Sequence, residues 1–394
     1  MEKLKKTVRI ILKGFFWIAM VMLFLLTVSA LYNQTLRSSS SVTQRLTEPQ
    51  KAYIAEYFNL QDKVIKEFWP DLEETRIPVI VYNEEFAFLV GLETPEAGWI
   101  RVPSGLHRGN EWIEMDGDHF QGNTYYYQSL PDPDTTPENF TVKVGSVWVS
   151  TLQTREFAEV SFYSGFKKEL PPLIRQVFPY KLFWNLVMGE AESYLAALIH
   201  EAFHAHQGML SNKKFSRAES ITEQSDHYPW DNDENKVGWE SEVDILLKAY
   251  ESDSDAEIKG YISEYIYQRE ERRKAADLSD EQIEYEKNRE WLEGLAKYTE
   301  LKIGMVADEL PSYEPVEEIA HLSDFRNYSN RESYLRNQLQ ETERAINRRG
   351  DNRFYYTGML QAIMLDRVYP DWKRKIFNDG IFPEDLLREV VLES

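Results

Sequence analysis

The chain of 394 residues has room for two or three structural units, and its 13% aromatic content argues against disorder. Its net charge of −21 is spread along the sequence, which excludes nucleic acid as an expected partner. The absence of cysteine excludes disulfides and thiolate metal sites. Any metal must therefore bind through histidine, aspartate or glutamate.

An apolar segment follows a basic N-terminus. Residues 1–13 contain five basic residues and one acidic residue, and residues 15–32 contain no charged residue. A segment of this length can cross most of a bilayer, and its basic flank predicts that the rest of the chain lies outside the cytoplasm. Two interpretations stay open: an uncleaved membrane anchor, which the length favours, and a signal peptide cleaved near Ala30 that leaves a secreted protein.

The chain divides into four predicted parts. Residues 1–32 form the cytoplasmic basic tip and transmembrane helix, and residues 33–50 form a polar stalk linker. Residues 51–188 mix helix and strand patterns and are predicted to form an α/β part, whereas residues 189–394 are predicted to form a helical, metal-binding part. The expected fold class is α+β, with a small mixed or antiparallel sheet over a mostly helical domain.

Local signals predict several element boundaries. Residues 142–152 are rich in valine and predict a strand. Gly208 marks where the preceding helix should stop, and the polar segment 211–238 predicts a mobile loop at the rim of a cleft. Ser279 and Gln282 form a capping-box pair that predicts the start of a later helix.

A metal-binding motif lies inside a predicted helix. His200 and His204 are four residues apart, which places both imidazoles on one face. Glu201 is turned about 100° from His200, close enough to hold a water molecule beside an ion between the two rings. Two nitrogen ligands, an open position and a base are what a zinc hydrolase requires. The motif therefore predicts a Zn²⁺ site with Glu201 as general base.

A catalytic zinc usually takes three protein ligands, so the chain must supply one more. Glu293 flanks the apolar stripe of a later helix, where a carboxylate is costly unless it is paired or metal-bound. Glu240 and Glu242 are candidates for orienting His200 or His204, by accepting a hydrogen bond from the ring nitrogen that does not bind the metal.

Two further polar residues near these segments have simpler expected roles. His206 points about 200° away from His204 on the helix, so it is expected at the surface or behind a ligand. Glu300 is expected to be a surface partner of Lys297 or Lys302.

Residues 291–300 read W-L-E-G-L-A-K-Y-T-E, and with the H-E-x-x-H motif they resemble the gluzincin metallopeptidases. The segment is similar to E-G-[FL]-A-x-Y-x-E of the membrane-alanyl and leukotriene-hydrolase-like aminopeptidase family. This resemblance implies a thermolysin-like catalytic domain with Glu293 as third zinc ligand. Residues 355–360 are similar to the family's Y-x-K-G segment, which implies that Tyr355, or its neighbour Tyr356, steadies the oxyanion.

The chain departs from this family in three places. The family's ligand spacing would select Glu223 rather than Glu293, so Glu223 stays the alternative ligand. A threonine, Thr357, replaces the lysine of Y-x-K-G, and the G-x-M-E-N segment of aminopeptidases is absent from the sequence, so the exopeptidase activity is not carried over. The fold analogy also makes residues 142–152 an edge strand that pairs with an extended peptide substrate.

The expected function is a zinc-dependent peptidase that acts outside the cytoplasmic membrane on a peptide or protein substrate. Its metal would activate water, with Glu201 as the base. Two alternatives remain: a membrane-tethered binding protein with a structural or non-catalytic zinc site, and a zinc hydrolase that does not cleave peptides.

Overall fold

The computed structural model describes residues 2–72, 75–119, 121–122, 124–132, 136–329 and 331–392. The chain is 63% helical and contains a curled sheet of eight strands, which confirms the α+β class.

Helix α1 (Glu2–Asn33) contains the apolar segment. Its stretch Ile11–Asn33 is long and apolar enough to span a membrane or to act as a signal sequence. Large apolar side chains on this stretch, such as Phe15 and Phe24, are exposed. The helix therefore extends away from the core of the protein.

The chain enters the core through α2 (Glu48–Leu60). A capping box between Thr47 and Gln50 starts this helix. The helix continues through a π-helical turn (Gln61–Ile65) into α3 (Lys66–Phe68), and a 3₁₀ turn (Pro70–Leu72) follows. Most of α2 is buried, and so are Ser40, Leu46 and Gln50 of the segment predicted as a stalk, so this segment packs on the body of the protein rather than forming a free linker.

The eight strands form one mixed sheet. They are β1 (Val79–Tyr82), β2 (Phe86–Val90), β3 (Trp99–Arg101), β4 (Leu106–Arg108), β5 (Ile113–Glu114), β6 (Tyr126–Ser129), β7 (Phe140–Val144) and β8 (Val147–Gln153). Their order is β4-β3-β7-β8-β1-β2-β6-β5; β1 and β8 run parallel, and the other neighbours run antiparallel.

The prediction of one edge strand over 142–152 is wrong. Gly145 has φ +59°, a left-handed conformation that suits a tight turn, and it splits the segment into the hairpin β7–β8. Both arms lie inside the sheet, and its edges are β4 and β5. In the described residues, β3 pairs with Val142 and Lys143 of β7, so the segment is not the edge strand of the sheet.

Helices make up the rest of the chain. They are α4 (Arg155–Glu169), α5 (Pro172–Val177), α6 (Tyr180–Met188), α7 (Ala191–Leu210), α8 (Asn212–Ser220), α9 (Asp233–Glu251), α10 (Asp255–Ala275), α11 (Asp280–Arg289), α12 (Leu295–Glu309), α13 (Glu317–Ala320), α14 (Arg331–Ile346), α15 (Asn352–Val368), α16 (Trp372–Lys375) and α17 (Pro383–Leu392). A 3₁₀ helix (Ile221–His227) follows α8, and a π-helical turn (Glu290–Gly294) joins α11 to α12.

The predicted loop at 211–238 is largely helical. Phe215, Ala218 and Ile221 recur every three residues and are buried, so this polar segment has a narrow apolar stripe that packs on the core. The capping box of Ser279 and Gln282 is confirmed at the start of α11.

Helix α7 packs against the sheet. Alternate residues of β1 face opposite sides: Val79 and Val81 join the core beside α7, and Ile80 and Tyr82 join a second cluster on the other face. Gly208 does not end α7 but allows it to approach the sheet, because a Cβ there would lie 2.3 Å from the Trp148 ring.

A buried ion network ties the helices of the C-terminal half together. Each of three arginines contacts at least two of four buried glutamates, with N–O distances of 2.5 to 2.9 Å. These residues are Glu242, Arg269, Arg272, Arg273, Glu286, Glu290 and Glu384. One member, Glu290, is the first residue of the π-helical turn between α11 and α12. Glu242 pairs with arginines of this network, so the prediction that it orients His200 or His204 is wrong. Glu240, the other candidate for that role, is exposed.

Candidate metal centre

Helix α7 carries both histidines of the motif. His200 and His204 lie one turn apart, and their ring centroids are separated by 4.9 Å. Both side chains are buried, with 8% and 1% of their surface exposed. The helix therefore presents two imidazoles side by side in the interior of the protein.

Glu293 completes a group of three. Its Oε2 atom lies 3.4 Å from His200 Nε2 and 3.5 Å from His204 Nε2, and one ligand atom from each residue falls within 4.8 Å of the others. Oε2 is buried and accepts no hydrogen bond from the described residues. These three side chains can hold a metal ion. Glu223, the alternative ligand, lies exposed on the 3₁₀ helix and outside this group.

A local irregularity of the helix positions Glu293. Residues Glu290–Gly294 form a π-helical turn, a feature that is frequent at functional sites. Gln207 of α7 donates from Nε2 to the carbonyl oxygens of Trp291 (2.8 Å) and Leu292 (3.1 Å) within this turn. Gln207 Oε1 lies 2.8 Å from His204 Nδ1. Because Gln207 Oε1 can only accept, His204 Nδ1 is the donor of this hydrogen bond, and Nε2 is the ring nitrogen that lies toward Glu293.

Arg289 holds the other oxygen of Glu293. Its guanidinium donates to Glu293 Oε1 at 2.7 Å and also approaches Glu219 and Asp351. Burial raises the pKa of Glu293, but the charge of Arg289 and the two histidines outweigh burial and hold that pKa well below its ordinary value. Glu293 is therefore a carboxylate, with one oxygen held and the other directed at the histidines.

Glu300 lies behind His200, and its expected place at the surface is wrong. Its Oε2 is 3.3 Å from His200 Nδ1, and its Oε1 accepts from Lys297 (2.5 Å) and from Tyr334 (2.6 Å). Its pairing with Lys297 was predicted correctly. Glu300 follows Glu293 by two helical turns, so both carboxylates lie on one face of α12 and its preceding turn.

The site attracts positive charge. Burial lowers the pKa of His200, yet the carboxylates of Glu293 and Glu300 outweigh burial and raise that pKa to about 10. Burial raises the pKa of Glu201; His200 and His204 oppose this rise, and the charges of Glu293 and Glu300 add to it. The carboxylates of Glu293 and Glu300 thus favour a positive charge at the histidines, either a proton or a metal cation.

Tyr355, rather than Tyr356, lies at the centre. It belongs to α15, and its ring stacks on His200 with centroids 5.8 Å apart and an angle of 12°. Burial and the charge of Glu293 raise the pKa of Tyr355 well above its ordinary value, so the phenol keeps its proton. The ring of Tyr356 instead faces the Lys297 ammonium at 5.8 Å.

His206 lies outside the ligand group, as expected, but it is buried rather than at the surface. Its side chain is buried, and its Nε2 has no hydrogen-bond partner among the residues that the structure describes. Burial lowers the pKa of His206 to about 3, so the ring is neutral at pH 7. Its location on the far side of α7 leaves it outside the group of three ligands.

Comparisons of the chain with protein-family models, with curated proteins and with solved structures gave no match.

Proposed function

We propose that the protein is a zinc-dependent peptidase of the gluzincin type, held by α1 in the cytoplasmic membrane with its catalytic part outside. The observation that carries this proposal is the convergence of two imidazoles and one buried carboxylate oxygen that accepts no hydrogen bond within the described part of the chain, with Tyr355 stacked on His200 and Glu201 next to His200 in the chain. The resemblance of residues 291–300 to the gluzincin segment supports the same ligand set.

Two of the three distances between the ligand atoms are those expected around a zinc ion. Zinc bonds to His nitrogen and carboxylate oxygen are about 2.0–2.2 Å long, and four ligands form a tetrahedron. Neighbouring ligand atoms therefore lie roughly 3.3–3.6 Å apart. Glu293 Oε2 is 3.4 and 3.5 Å from the two histidine nitrogens. Each ligand also contacts a second residue, as metal ligands usually do: Glu300 for His200, Gln207 for His204 and Arg289 for Glu293.

The three-ligand set supports a catalytic role over a structural one. Structural zinc sites are closed by four protein ligands, whereas the group found in the described residues has three. Glu201 follows the first ligand directly in the chain, and Tyr355 stacks on it. A purely structural site requires neither a base nor a phenol.

The proposed reaction is hydrolysis of a peptide bond. A zinc ion at this site would supply a Lewis acid that makes water a better nucleophile and stabilises negative charge on the carbonyl oxygen. Glu201 takes the proton of the attacking water and then delivers it to the leaving amine as the C–N bond breaks. Tyr355 donates a hydrogen bond to the developing oxyanion.

The substitution Glu201→Gln tests this mechanism. The variant should retain one zinc per chain and lose hydrolysis of a broad fluorogenic peptide library by about 10²–10⁴-fold, because only the base is removed. Glu223→Gln is the matched control: it changes an exposed carboxylate outside the centre and should leave both zinc content and hydrolysis unchanged.

Two results would contradict the proposal. A Glu201→Gln variant that cleaves at the rate of the unmodified protein rules out the mechanism. Stoichiometric zinc without cleavage of any library member by the unmodified protein favours a membrane-tethered binding protein instead.

A further inference from the structure

Several large apolar side chains are exposed on two short, consecutive helices near the N-terminal helix. We name this surface the α5–α6 face; its members, with their exposed fractions, are Leu173 (83%), Ile174 (48%), Leu182 (59%), Leu186 (75%) and Val187 (52%). Exposed apolar residues grouped in this way mark a surface that contacts a partner or a membrane.

Helix α6 is apolar on both of its sides. Tyr180 and Trp184 point inward, into a small aromatic cluster with α4. Leu182 and Leu186, also four residues apart, point outward. Lys181 and Asn185 occupy one further side of α6, but Leu182 and Leu186 remain exposed and have no apolar cover in the described residues.

The α5–α6 face lies next to the body-proximal end of α1. Asn33, the last residue of α1, donates from Nδ2 to the carbonyl oxygens of Gln176 (3.0 Å) and Phe178 (2.8 Å). Leu36 then packs into the aromatic cluster of α4–α6. If Ile11–Asn33 spans a bilayer, these contacts place α5 at the level of the membrane surface.

The charge around the face fits anionic lipid. Residues 164–188 contain four basic residues and one acidic residue, in a chain whose net charge is −21. Two of the basic residues, Lys168 and Arg175, are exposed. Apolar residues beside lysine and arginine are typical of segments that lie in the interface of an anionic membrane.

We propose that the α5–α6 face rests on the outer surface of the membrane that α1 crosses, with its leucines inserted among anionic phospholipids. This inference rests on the proposed anchoring by α1. Helix α6 ends at Met188, and α7, which carries His200 and His204, begins at Ala191. A membrane contact at α6 therefore restricts the orientation of α7 relative to the bilayer. The protein is then attached at two points rather than one.

Site-directed spin labelling tests the proposal, since the chain has no native cysteine. The full chain, labelled at Leu186→Cys, is reconstituted into vesicles of phosphatidylethanolamine and phosphatidylglycerol. Accessibility of the label to oxygen, which dissolves in lipid, is compared with accessibility to a water-soluble nickel complex. Phe24→Cys reports on α1. Val237→Cys, an equally apolar position on α9 that is 64% exposed, is the matched control.

The expected result is a shift toward oxygen at both positions 24 and 186, with position 237 accessible to nickel. Nickel accessibility at 186 with a lipid-embedded label at 24 overturns the membrane contact and leaves the anchor in place. A label at 186 that neither oxygen nor nickel reaches also overturns the membrane contact, because a protein partner then covers the α5–α6 face. A label at 24 in water overturns the anchor and, with it, this inference.

Discussion

Each of the three grouped side chains contacts a second residue that fixes its orientation. Gln207 restricts His204, Arg289 restricts Glu293, and Glu300 lies against the far nitrogen of His200. Such partners set which nitrogen carries the proton and which oxygen is free, and replacing them typically lowers metal affinity 10–100-fold. Metal affinity should therefore depend on these three partners as well as on the ligands themselves.

Arg289→Lys tests the pairing at Glu293. Lysine keeps the positive charge but lacks the planar fork that reaches Glu293, Glu219 and Asp351 together. Zinc affinity, measured by competition with a chelator, should fall roughly 10-fold or more. Arg217→Lys, at an exposed ion pair with Glu284, is the control and should leave affinity unchanged. Equal zinc affinities of the two variants would show that Arg289 does not position the ligand.

The residues of the motif were predictable from spacing, whereas their partners were not. Four-residue spacing on a helix placed His200 and His204 together without knowledge of the fold. Gln207 meets the carbonyl of Trp291 across 84 positions of the chain, and no local pattern encodes such a contact. The position of Glu300 could have been predicted from one feature: it follows Glu293 by seven residues, which places both on the same face of a helix.

At the scale of elements, a close helix crossing delivers Tyr355 to the centre. Helix α15 meets the π-helical turn where Gly358 faces Gly294: a Cβ added to Gly358 would lie 2.3 Å from the Glu290 carbonyl oxygen and 2.7 Å from Gly294 Cα. Thr357, the residue where the chain departs from the Y-x-K-G segment, donates to Glu290 at 2.7 Å and strengthens this contact. Tyr355 lies one turn before Gly358 and so depends on the same approach.

Gly358→Ala should therefore push α15 away from the turn. Since the obstructing atoms are backbone, we expect a loss of about 1–3 kcal/mol in the free energy of unfolding, together with slower peptide hydrolysis. Gly260→Ala is the matched control in α10, where a Cβ meets nothing within 4 Å. It should be neutral or stabilise by up to about 1 kcal/mol. Urea denaturation measures the free energy of unfolding of both variants. Equal values would show that α15 does not approach the π-helical turn as closely as described.

Element types were easier to predict than element neighbours. The capping box at Ser279 acts locally, so the start of α11 was predicted correctly. The segment 142–152 has strand propensity throughout, but its pairing depends on β1 and β3, which are distant in the chain. The segment 211–238 was assigned to a loop because charged residues mask its stripe of Phe215, Ala218 and Ile221.

At the scale of the whole molecule, buried ion pairs join helices that are far apart in sequence. Arg273 contacts Glu384 of α17 across 111 positions, and Arg269 contacts Glu290 at the π-helical turn. Breaking a buried pair is costly, because the remaining charge has no partner and no water. The network therefore links the C-terminal helix to the turn that carries Glu293.

Stability should depend on the ionisation of Glu286. Burial raises its pKa, but Arg272 and Arg273 outweigh burial and lower it from 4.5 to about 2. Because the folded pKa is the lower one, this contribution is present above pH 4.5 and is lost as the pH falls toward 2. Glu286→Gln should cost about 3–5 kcal/mol at pH 7. Its deficit relative to the unmodified protein should shrink by roughly 2 kcal/mol between pH 5 and pH 3.

Urea denaturation at pH 7, 5 and 3 measures these deficits. Glu284→Gln, at the partly exposed pair with Arg217, is the control and should show a small deficit at every pH. A deficit of Glu286→Gln that stays constant from pH 7 to pH 3 would show that Glu286 is not held ionised by the network.

The proposed function depends most on one ion and its three ligands. Crystals of the zinc-loaded protein, measured at the zinc absorption edge, locate that ion directly by anomalous scattering. We predict one strong peak per chain, bonded to His200 Nε2, His204 Nε2 and Glu293 at about 2.0–2.2 Å. A peak bonded to Glu223, or an ion that makes no bond to Glu293, would contradict the proposed centre.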